Sequence, residues 1–276
     1  MEQVLKTMLE NVRAKSPLVH NITNYVTVND VANVLLAAGG SPIMSDDADD
    51  VEDITSICGG LNINIGTLNK NTIPSMFLAG KKANALGHIV LLDPVGAGAS
   101  RLRTDTANRL MREVRFDAVR GNISEIKTLC TGSGTTKGVD ADAVDAVTEA
   151  NLDDGVALVK AFARQTGCII AVTGAIDLVS DGERCWCIRN GRAEMSRITG
   201  TGCQLSALMT AFLVANPDRK LDAAAAAVCM MGLAGEIGWA NMQPGDGNST
   251  YRDRIIDAIF NMTSDALEEG AKYELR

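Results

Sequence analysis

The stretch Ile198-Thr199-Gly200-Thr201-Gly202-Cys203 is followed at once by an apolar run over residues 205–214. Within that run, Leu205, Leu208 and Phe212 recur at the spacing of one face of a helix. The pattern predicts a glycine-rich turn that opens a largely buried helix.

The start of the predicted helix favours a bound anion. Glycines let backbone N–H groups converge without obstruction, and the first helical turn carries unpaired donors at the positive end of the helix dipole. Gly200, Thr201 and Gly202 are therefore candidates for binding a phosphate or stabilising developing negative charge. Cys203 is expected at the same end, where a thiol ionises more easily. The alternative is an ordinary helix start with a small buried cysteine, and the loop alone does not decide between the two.

The composition narrows the class of protein. The chain has 276 residues and a formal net charge of −8, and we expect one domain over residues 1–276. No lysine or arginine cluster is present, so nucleic acid and anionic membrane surfaces are not expected partners. The apolar run over residues 223–233 is too short to span a membrane. A protein of this charge that handles phosphates needs backbone donors, a few arginines and a metal ion.

Cysteine and histidine usage points to a cytoplasmic protein with reduced thiols. The seven cysteines are odd in number and scattered, unlike a disulfide framework. Cys185 and Cys187 are predicted to share one face of a strand, too close for an ordinary zinc pair. His20 and His88 are the only histidines, so a histidine zinc site or a Ser-His-Asp triad is poorly supplied. The first residues, with Glu2 and no long apolar run, do not resemble a signal peptide.

Strand and helix patterns alternate along the chain. This alternation predicts an α/β fold with a mainly parallel central sheet covered by helices on both faces. Asp181-Gly182 and Asn190-Gly191 are typical hairpin turns, so residues 177–197 are expected to be antiparallel. Residues 251–269 are predicted as one final helix, and residues 131–140, rich in glycine and threonine, as an exposed excursion.

Parallel sheets of this kind bind ligands beyond the carboxyl ends of their strands. The positions just past each predicted strand are therefore candidates as a group, and this placement is a stronger argument than any single motif. The group consists of Asn24, Met44, Gly66, Thr67, Asp93, Arg120, Asn122, Glu125 and Thr173. Within it, Met44 is expected either in the core or as the apolar wall of a pocket.

A magnesium site is predicted from three of these positions. Asp93 ends a hydrophobic strand and Asn122-x-x-Glu125 follows another, and Mg²⁺ favours oxygen ligands and retains several waters. Asp93 could instead cap a turn, and Asn122 with Glu125 could form a capping box at a helix start. The glycine loop and Asp93 together favour the metal interpretation. Arg120, directly before this motif, would then stabilise charge on a transferring phosphoryl group.

A dinucleotide site is disfavoured. Gly96-Ala97-Gly98 follows a strand, but Arg101 stands where the third glycine of the GxGxxG fingerprint would fall. No acidic residue closes the next strand in an obvious way.

Several motifs lie in order along nearly the whole chain: Ser16-Pro17-Leu18-Val19-His20-Asn21-Ile22-Thr23-Asn24, Ser41-Pro42-Ile43-Met44, Asn64-Ile65-Gly66-Thr67-Leu68, Leu92-Asp93-Pro94-Val95-Gly96-Ala97-Gly98-Ala99, Arg120-Gly121-Asn122-x-x-Glu125, and Thr199-Gly200-Thr201-Gly202-Cys203. Through them the sequence resembles the hydroxyethylthiazole kinases, a branch of the ribokinase-like fold. The resemblance implies transfer of the γ-phosphoryl group of ATP to the primary alcohol of 4-methyl-5-(2-hydroxyethyl)thiazole in thiamine salvage. It also implies magnesium as cofactor and a homotrimer with active sites between subunits.

The resemblance assigns roles to individual positions. It implies that Met44 and Gly200 contact the thiazole, that Arg120 and Thr173 contact ATP, and that Asn122-x-x-Glu125 organises magnesium and phosphate. Together with the strand-end positions, this gives four expected sets. The residues expected to bind the substrate are Met44, Gly200, Asn24, Gly66 and Thr67, and those expected to bind ATP are Arg120, Thr173 and Asn122. The expected metal ligands are Asp93 and Glu125, and the expected catalytic residues are Cys203, Gly200, Thr201 and Gly202.

Cys203 distinguishes the narrower family from the wider fold. Most ribokinase-like kinases carry aspartate there, and the thiazole kinases characteristically carry cysteine. We therefore expect Cys203 to orient the hydroxyl while the amides of Gly200 to Gly202 carry most of the charge stabilisation. Residues 244–248 differ from the Gly-Pro-Gly-Ser run expected in the family. The competing functions are a kinase for a pyrimidine or pyridoxal-type alcohol, a lyase that repairs hydrated nicotinamide cofactors, and a non-catalytic nucleotide sensor.

Overall fold

A nine-stranded sheet forms the centre of the computed structural model, which describes residues 3–132 and 146–276. The strand order is β2-β1-β3-β4-β5-β6-β7-β8-β9. All pairs from β2 to β6 are parallel, and those from β6 to β9 are antiparallel. The strands are β1 Leu18–Ile22, β2 Ser41–Met44, β3 Gly60–Asn64, β4 Ile89–Asp93, β5 Ala118–Asn122, β6 Ile169–Thr173, β7 Asp177–Ser180, β8 Cys185–Ile188 and β9 Tyr273–Leu275.

Helices cover both faces of the sheet, as predicted. They are α1 Val4–Lys15, α2 Val28–Ala38, α3 Val51–Ile57, α4 Thr72–Leu86, α5 Arg101–Glu113, α6 Ile123–Thr131, α7 Leu152–Thr166, α8 Thr201–Ala215, α9 Lys220–Ala240, α10 Asn248–Asn261 and α11 Ser264–Gly270. Ile89 and Leu91 of β4 face a core formed with α1, α8, α9 and α10, while Val90 and Leu92 face a second core formed with α4 to α7. This alternation explains the continuous apolar run in β4, because both of its faces are buried.

One of the two predicted hairpin turns is wrong. Asp181-Gly182 joins β7 to β8 as expected. After Asn190-Gly191, however, the chain forms a short 3₁₀ helix, Ala193–Arg197, and β8 pairs instead with β9 from the end of the chain. Glu236 of α9 accepts a hydrogen bond from the Gly191 amide at 2.9 Å, and Asn190 donates to the Gly270 carbonyl at 3.0 Å. The polar groups of this turn are therefore bonded to residues distant in sequence instead of closing a hairpin.

The predicted final helix over residues 251–269 is two helices. Met262 and Thr263 separate α10 from α11, and the Thr263 hydroxyl accepts a hydrogen bond from the Ala266 amide at 3.1 Å. Met262 is buried in the core, so the break brings an apolar side chain inward. The predicted excursion at residues 131–140 begins where α6 ends, and residues 133–140 lie outside the described part of the chain.

Helix α9 is longer than the apolar run that predicted it. By length and composition the segment 217–240 could cross a membrane, which corrects the expectation that no stretch is long enough. In the fold, 78% of its apolar window is buried against the rest of the protein. Its hydrophobicity is therefore accounted for by the core.

Candidate active site

The glycine-rich stretch opens α8, as the sequence predicts. Gly200 precedes the helix with φ +89°, a conformation that favours glycine. A Cβ atom at this position would lie 2.3 Å from Cγ2 of Thr27, so a side chain would also collide with the loop before α2. Helix α8 then begins at Thr201, and nearly all of its residues are buried.

Arg120 lies across the first turn of α8. A Cβ atom on Gly202 would lie 2.4 Å from the Arg120 Nη1 atom, so the glycine makes room for the guanidinium. Arg120 Nη2 donates to Thr173 Oγ1 at 2.5 Å, and Nη1 lies 3.6 Å from Asp93 Oδ2. Strands β4, β5 and β6 thus bring three predicted residues, Asp93, Arg120 and Thr173, to the start of one helix.

The thiol of Cys203 is held by two asparagines. Asn24 Nδ2 and Asn64 Nδ2 lie 3.1 and 3.2 Å from its sulfur and donate to it. Burial, followed by the nearby Asp93 charge, raises the pKa of Cys203 above its ordinary value. The expectation of an easily ionised thiol is therefore wrong, because desolvation outweighs the helix end.

Asn64 is a central residue that the sequence argument did not single out. Its Nδ2 also donates to Asp93 Oδ2 at 2.8 Å, and its Oδ1 accepts from the Gly66 amide at 2.9 Å and from Asn24 at 3.1 Å. It therefore connects Asp93, Cys203 and the turn after β3. An amide at the end of a strand that is buried at every position, and so needs hydrogen-bond partners, is the signal that could have identified it.

Asp93 is fully buried at the end of β4. Its Oδ2 accepts hydrogen bonds from Asn64 and, at 2.8 Å, from Ser206 Oγ of α8. Burial raises the pKa of this carboxyl, while Arg120 acts in the opposite direction. Its Oδ1 atom is buried without a hydrogen-bond partner among the described residues.

Glu125 and Asn122 form the capping box of α6. The Asn122 side chain accepts from the Glu125 amide at 2.9 Å, and Glu125 Oε2 accepts from the Asn122 amide at 2.8 Å. The other oxygen, Oε1, accepts from the Gly96 amide at 2.8 Å. Burial and the Asp93 charge raise the pKa of Glu125 to about 7. In residues 3–132 and 146–276, no group of three or more His, Cys, Asp or Glu side chains forms a ready metal cage.

A small cavity of about 150 Å³ lies beside these groups. Met44 and Met76 supply apolar surface, and Thr67, Asn64 and Tyr25 are among the polar or aromatic residues lining it. Met44 is thus a pocket wall, one of the two roles expected for it. The predicted residues Asn24 and Gly66 adjoin this cavity through their bonds to Asn64.

Residues 9–265 match the model of the hydroxyethylthiazole kinase family. The chain belongs to this family. A hydroxyethylthiazole kinase from Clostridium acetobutylicum is 57% identical over 271 residues, covering 98% of this chain and 99% of that protein. One from Clostridium beijerinckii is 49% identical, covering 97% of this chain and 96% of that protein.

Solved structures place the family within a wider fold. The structure of a hydroxyethylthiazole kinase protein from Pyrococcus horikoshii superposes with a TM-score of 0.87 at 32% identity, covering 99% of this chain and 98% of that one. Pyridoxal kinase from Staphylococcus aureus in complex with ADP gives a TM-score of 0.62 at 14% identity, covering 94% of this chain and 97% of that one, a likeness of fold alone. The ribokinase-like α/β architecture expected from the sequence is confirmed.

Proposed function

We propose that this protein transfers the γ-phosphoryl group of ATP to the primary alcohol of 4-methyl-5-(2-hydroxyethyl)thiazole, a step of thiamine salvage. The observation that carries the proposal is the family match over residues 9–265. The geometry supports it, since a small pocket adjoins the glycine-rich start of a helix, with Cys203 and its two asparagines between them.

The pocket side would hold the alcohol. Met44 provides an apolar wall of the kind that an uncharged aromatic ring requires, with Thr67 on the same cavity. Asn24 and Gly66 complete the proposed substrate set through the Asn64 network. Cys203 would orient the hydroxyl rather than remove its proton, because its raised pKa leaves the thiol protonated at neutral pH. A strong base is not essential, since protein charge stabilisation and positioning dominate phosphoryl transfer.

The helix side would hold the phosphates. The backbone N–H groups of Gly200, Thr201 and Gly202 stand at the start of α8, where unpaired donors favour an anion. Arg120, braced by Thr173, would contact ATP directly above this turn. These groups would stabilise negative charge as the phosphoryl group moves to the alcohol. Asn122, at the end of β5, would adjoin the nucleotide.

Asp93 and Glu125 fit a requirement for Mg²⁺. Asp93 has a buried oxygen without a hydrogen-bond partner among the described residues, and its charge helps raise the pKa of Glu125 to about 7. A divalent cation held by these carboxylates through water would relieve that repulsion. When bound, it would neutralise charge on the phosphates of ATP.

We also propose a cytoplasmic homotrimer with active sites between subunits. The chain has no nucleic-acid or membrane role in this proposal, in keeping with its net charge of −8. Tyr25 and Val26 are large side chains with exposures of 76% and 57%, and Tyr25 also lines the pocket. Exposed apolar surface at the mouth of a site supports an interface there.

The decisive test is product formation by the full chain. With ATP, magnesium and hydroxyethylthiazole, mass spectrometry should detect the phosphorylated thiazole and ADP, and omission of magnesium should abolish both. Pyridoxal and a hydroxymethylpyrimidine serve as competing alcohols in the same assay. Binding of ATP without phosphorylated product from any alcohol, or clear preference for another alcohol, would overturn the proposed substrate.

A further inference from the structure

Arg103 reaches from α5 across two turns of the site. Its Nη2 donates to the Gly66 carbonyl at 2.8 Å, in the turn that follows β3. A Cβ atom on Gly96, in the turn that follows β4, would lie 2.1 Å from its Nη1, so the guanidinium lies directly over that glycine. The half-buried side chain therefore occupies the carboxyl edge of the sheet, where ligands of this fold class bind.

The positive charge of Arg103 is unpaired in the described part of the chain. None of the carboxylates there forms an ion pair with it, and its single side-chain hydrogen bond goes to a neutral carbonyl. Its neighbour Arg101 pairs with Asp105 on the surface, and Arg120 lies beside Asp93. A guanidinium that is partly withdrawn from water normally gains a carboxylate or phosphate partner, because its desolvation costs free energy.

The two turns under Arg103 connect it to both halves of the site. The Gly66 amide donates to Asn64, which also bonds to Cys203, while the Gly96 amide donates to Glu125. Arg103 thus stands between the proposed alcohol pocket and the two acidic side chains of the proposed metal site. After its bond to Gly66, its remaining N–H groups are free for the planar fork geometry that matches phosphate oxygens.

We propose that Arg103 is a second phosphate-binding arginine of this enzyme, contacting ATP at the terminal phosphate and retaining that contact with the phosphorylated alcohol. It acts from the turns after β3 and β4, whereas Arg120 acts from β5 over the start of α8. This division gives the transferring group a positive side chain that is not already neutralised by Asp93. The inference rests on the proposed kinase function.

The test compares Arg103→Gln with Arg101→Gln on the same helix turn. Arg101 is 95% exposed and serves as the matched loss of one positive charge. By calorimetry in the absence of the alcohol, Arg103→Gln should weaken binding of ATP about tenfold or more. Arg101→Gln should bind ATP as the unchanged protein does. Binding of hydroxyethylthiazole alone should stay within about twofold in both variants.

A variant that retains the positive charge distinguishes phosphate binding by Arg103 from mere support of the Gly66 turn. Arg103→Lys should recover part of the lost ATP affinity, because it restores the charge without the fork. If Arg103→Gln binds ATP normally, or if it weakens ATP and alcohol equally while lowering the melting temperature, Arg103 only braces the Gly66 turn and the inference is wrong. If the unchanged protein forms no phosphorylated thiazole, the proposed function fails instead.

Discussion

Cys203 lies where the pocket meets the start of α8, with its sulfur accepting two asparagine amides. Because burial raises its pKa and disfavours the thiolate, we propose that Cys203 holds the hydroxyl in line rather than accepting its proton. We predict that Cys203→Ala retains measurable turnover, reduced by about 10–100-fold, the range expected for lost positioning. Steady-state kinetics of the purified variant measures this reduction.

A control for the cysteine variant is Cys58→Ala. This change affects a buried thiol just before β3, at the amino-terminal ends of the parallel strands and therefore on the side of the sheet away from the site. Its turnover should match that of the unchanged protein. Complete loss of activity in folded Cys203→Ala would contradict the positioning role and point to direct proton transfer by the thiol.

His20 makes the stability of the fold depend on pH. Its Nε2 donates to the Ser45 carbonyl at 2.9 Å, so the neutral ring accepts from the Thr55 hydroxyl at Nδ1, 3.0 Å away. Burial lowers the pKa of His20 below its ordinary 6.5, with the Asp50 charge a smaller opposing effect. The unfolded chain therefore binds a proton that the folded chain resists, and the contribution of His20 to stability should fall as pH drops below 6.5.

The second histidine of the chain supplies the control for this effect. Chemical denaturation at pH 7.5 and pH 5.5 should show a change in stability on acidification that is less unfavourable in His20→Gln than in the unchanged protein. Glu125, whose pKa is raised to about 7, contributes in the opposite direction in both proteins and cancels in this comparison. His88→Gln should keep the original difference. Each unit by which the His20 pKa is lowered accounts for about 1.4 kcal/mol. Equal pH dependence in all three proteins would refute the assignment to His20.

For individual residues, the sequence predicted which positions lie at the site better than it predicted the contacts that their side chains make. Asp93 and Thr173 were found because each ends a parallel strand, and Arg120 because it lies in β5, two residues before that strand ends; the carboxyl ends of parallel strands meet on one side of the sheet. The sequence did not predict the positions of Asn64 and Arg103 in the site, because these depend on the backbone and side-chain atoms that the two residues contact. Those contacts depend on strand register and on the path of distant turns.

The element whose pairing was hardest to foresee is β9, three residues near the end of the chain. It closes the edge of β8 by antiparallel pairing along its length. Backbone bonds flank this pairing on both sides: Cys185 and Arg276 exchange two, of 2.7 and 2.8 Å, and the Arg189 amide donates to the Lys272 carbonyl at 2.8 Å. Trp186 and Tyr273 add a ring contact with centroids 4.3 Å apart. Local turn signals predicted β7 and β8, but nothing local specifies a partner more than 80 residues away.

Removal of residues 271–276 tests what this strand contributes. We predict a loss of at least about 4 kcal/mol, from roughly 1 kcal/mol for each of the three flanking backbone bonds and for the ring contact, with the ladder bonds of β9 in addition. For a chain of this size, that corresponds to a fall in melting temperature on the order of 10 °C or more. Phosphorylation kinetics at low temperature should be unchanged, because β9 lies beyond the strands that carry the site.

The control for this truncation is Arg276→Ala, which removes a side chain but keeps the backbone pairing of β9. It should retain nearly all of the stability. If the truncated chain melts at the original temperature, pairing of β9 with β8 does not stabilise the fold and the prediction is wrong.

For the whole molecule, the alternation of strand and helix patterns was enough to predict a parallel sheet between two helical layers. Val90 and Leu92 facing one core, and Ile89 and Leu91 the other, show why this works, since burial on both faces requires an unbroken apolar strand. The association of subunits produces no comparable periodic pattern in the sequence. An interface depends on which side chains the completed fold exposes together.

Tyr25 and Val26 are the side chains through which we expect assembly to affect activity. They are 76% and 57% exposed, and Tyr25 also lines the proposed alcohol pocket. In Tyr25→Ser with Val26→Ser, the loss of apolar contact should dissociate the proposed trimer and raise the KM for the alcohol. Ultracentrifugation and kinetics over a range of protein concentration measure both effects.

Ile57→Ser provides the matched control, because Ile57 is an apolar side chain of similar exposure, 63%. It ends α3 just before β3, at the amino-terminal ends of the parallel strands and away from the pocket. It should leave mass and kinetics unchanged. A double variant that remains trimeric, or a monomer with an unchanged KM, would contradict a site shared between subunits. Because Tyr25 also touches the pocket within one chain, the dependence of KM on protein concentration distinguishes the two roles: only dissociation makes the KM of the double variant recover as concentration rises.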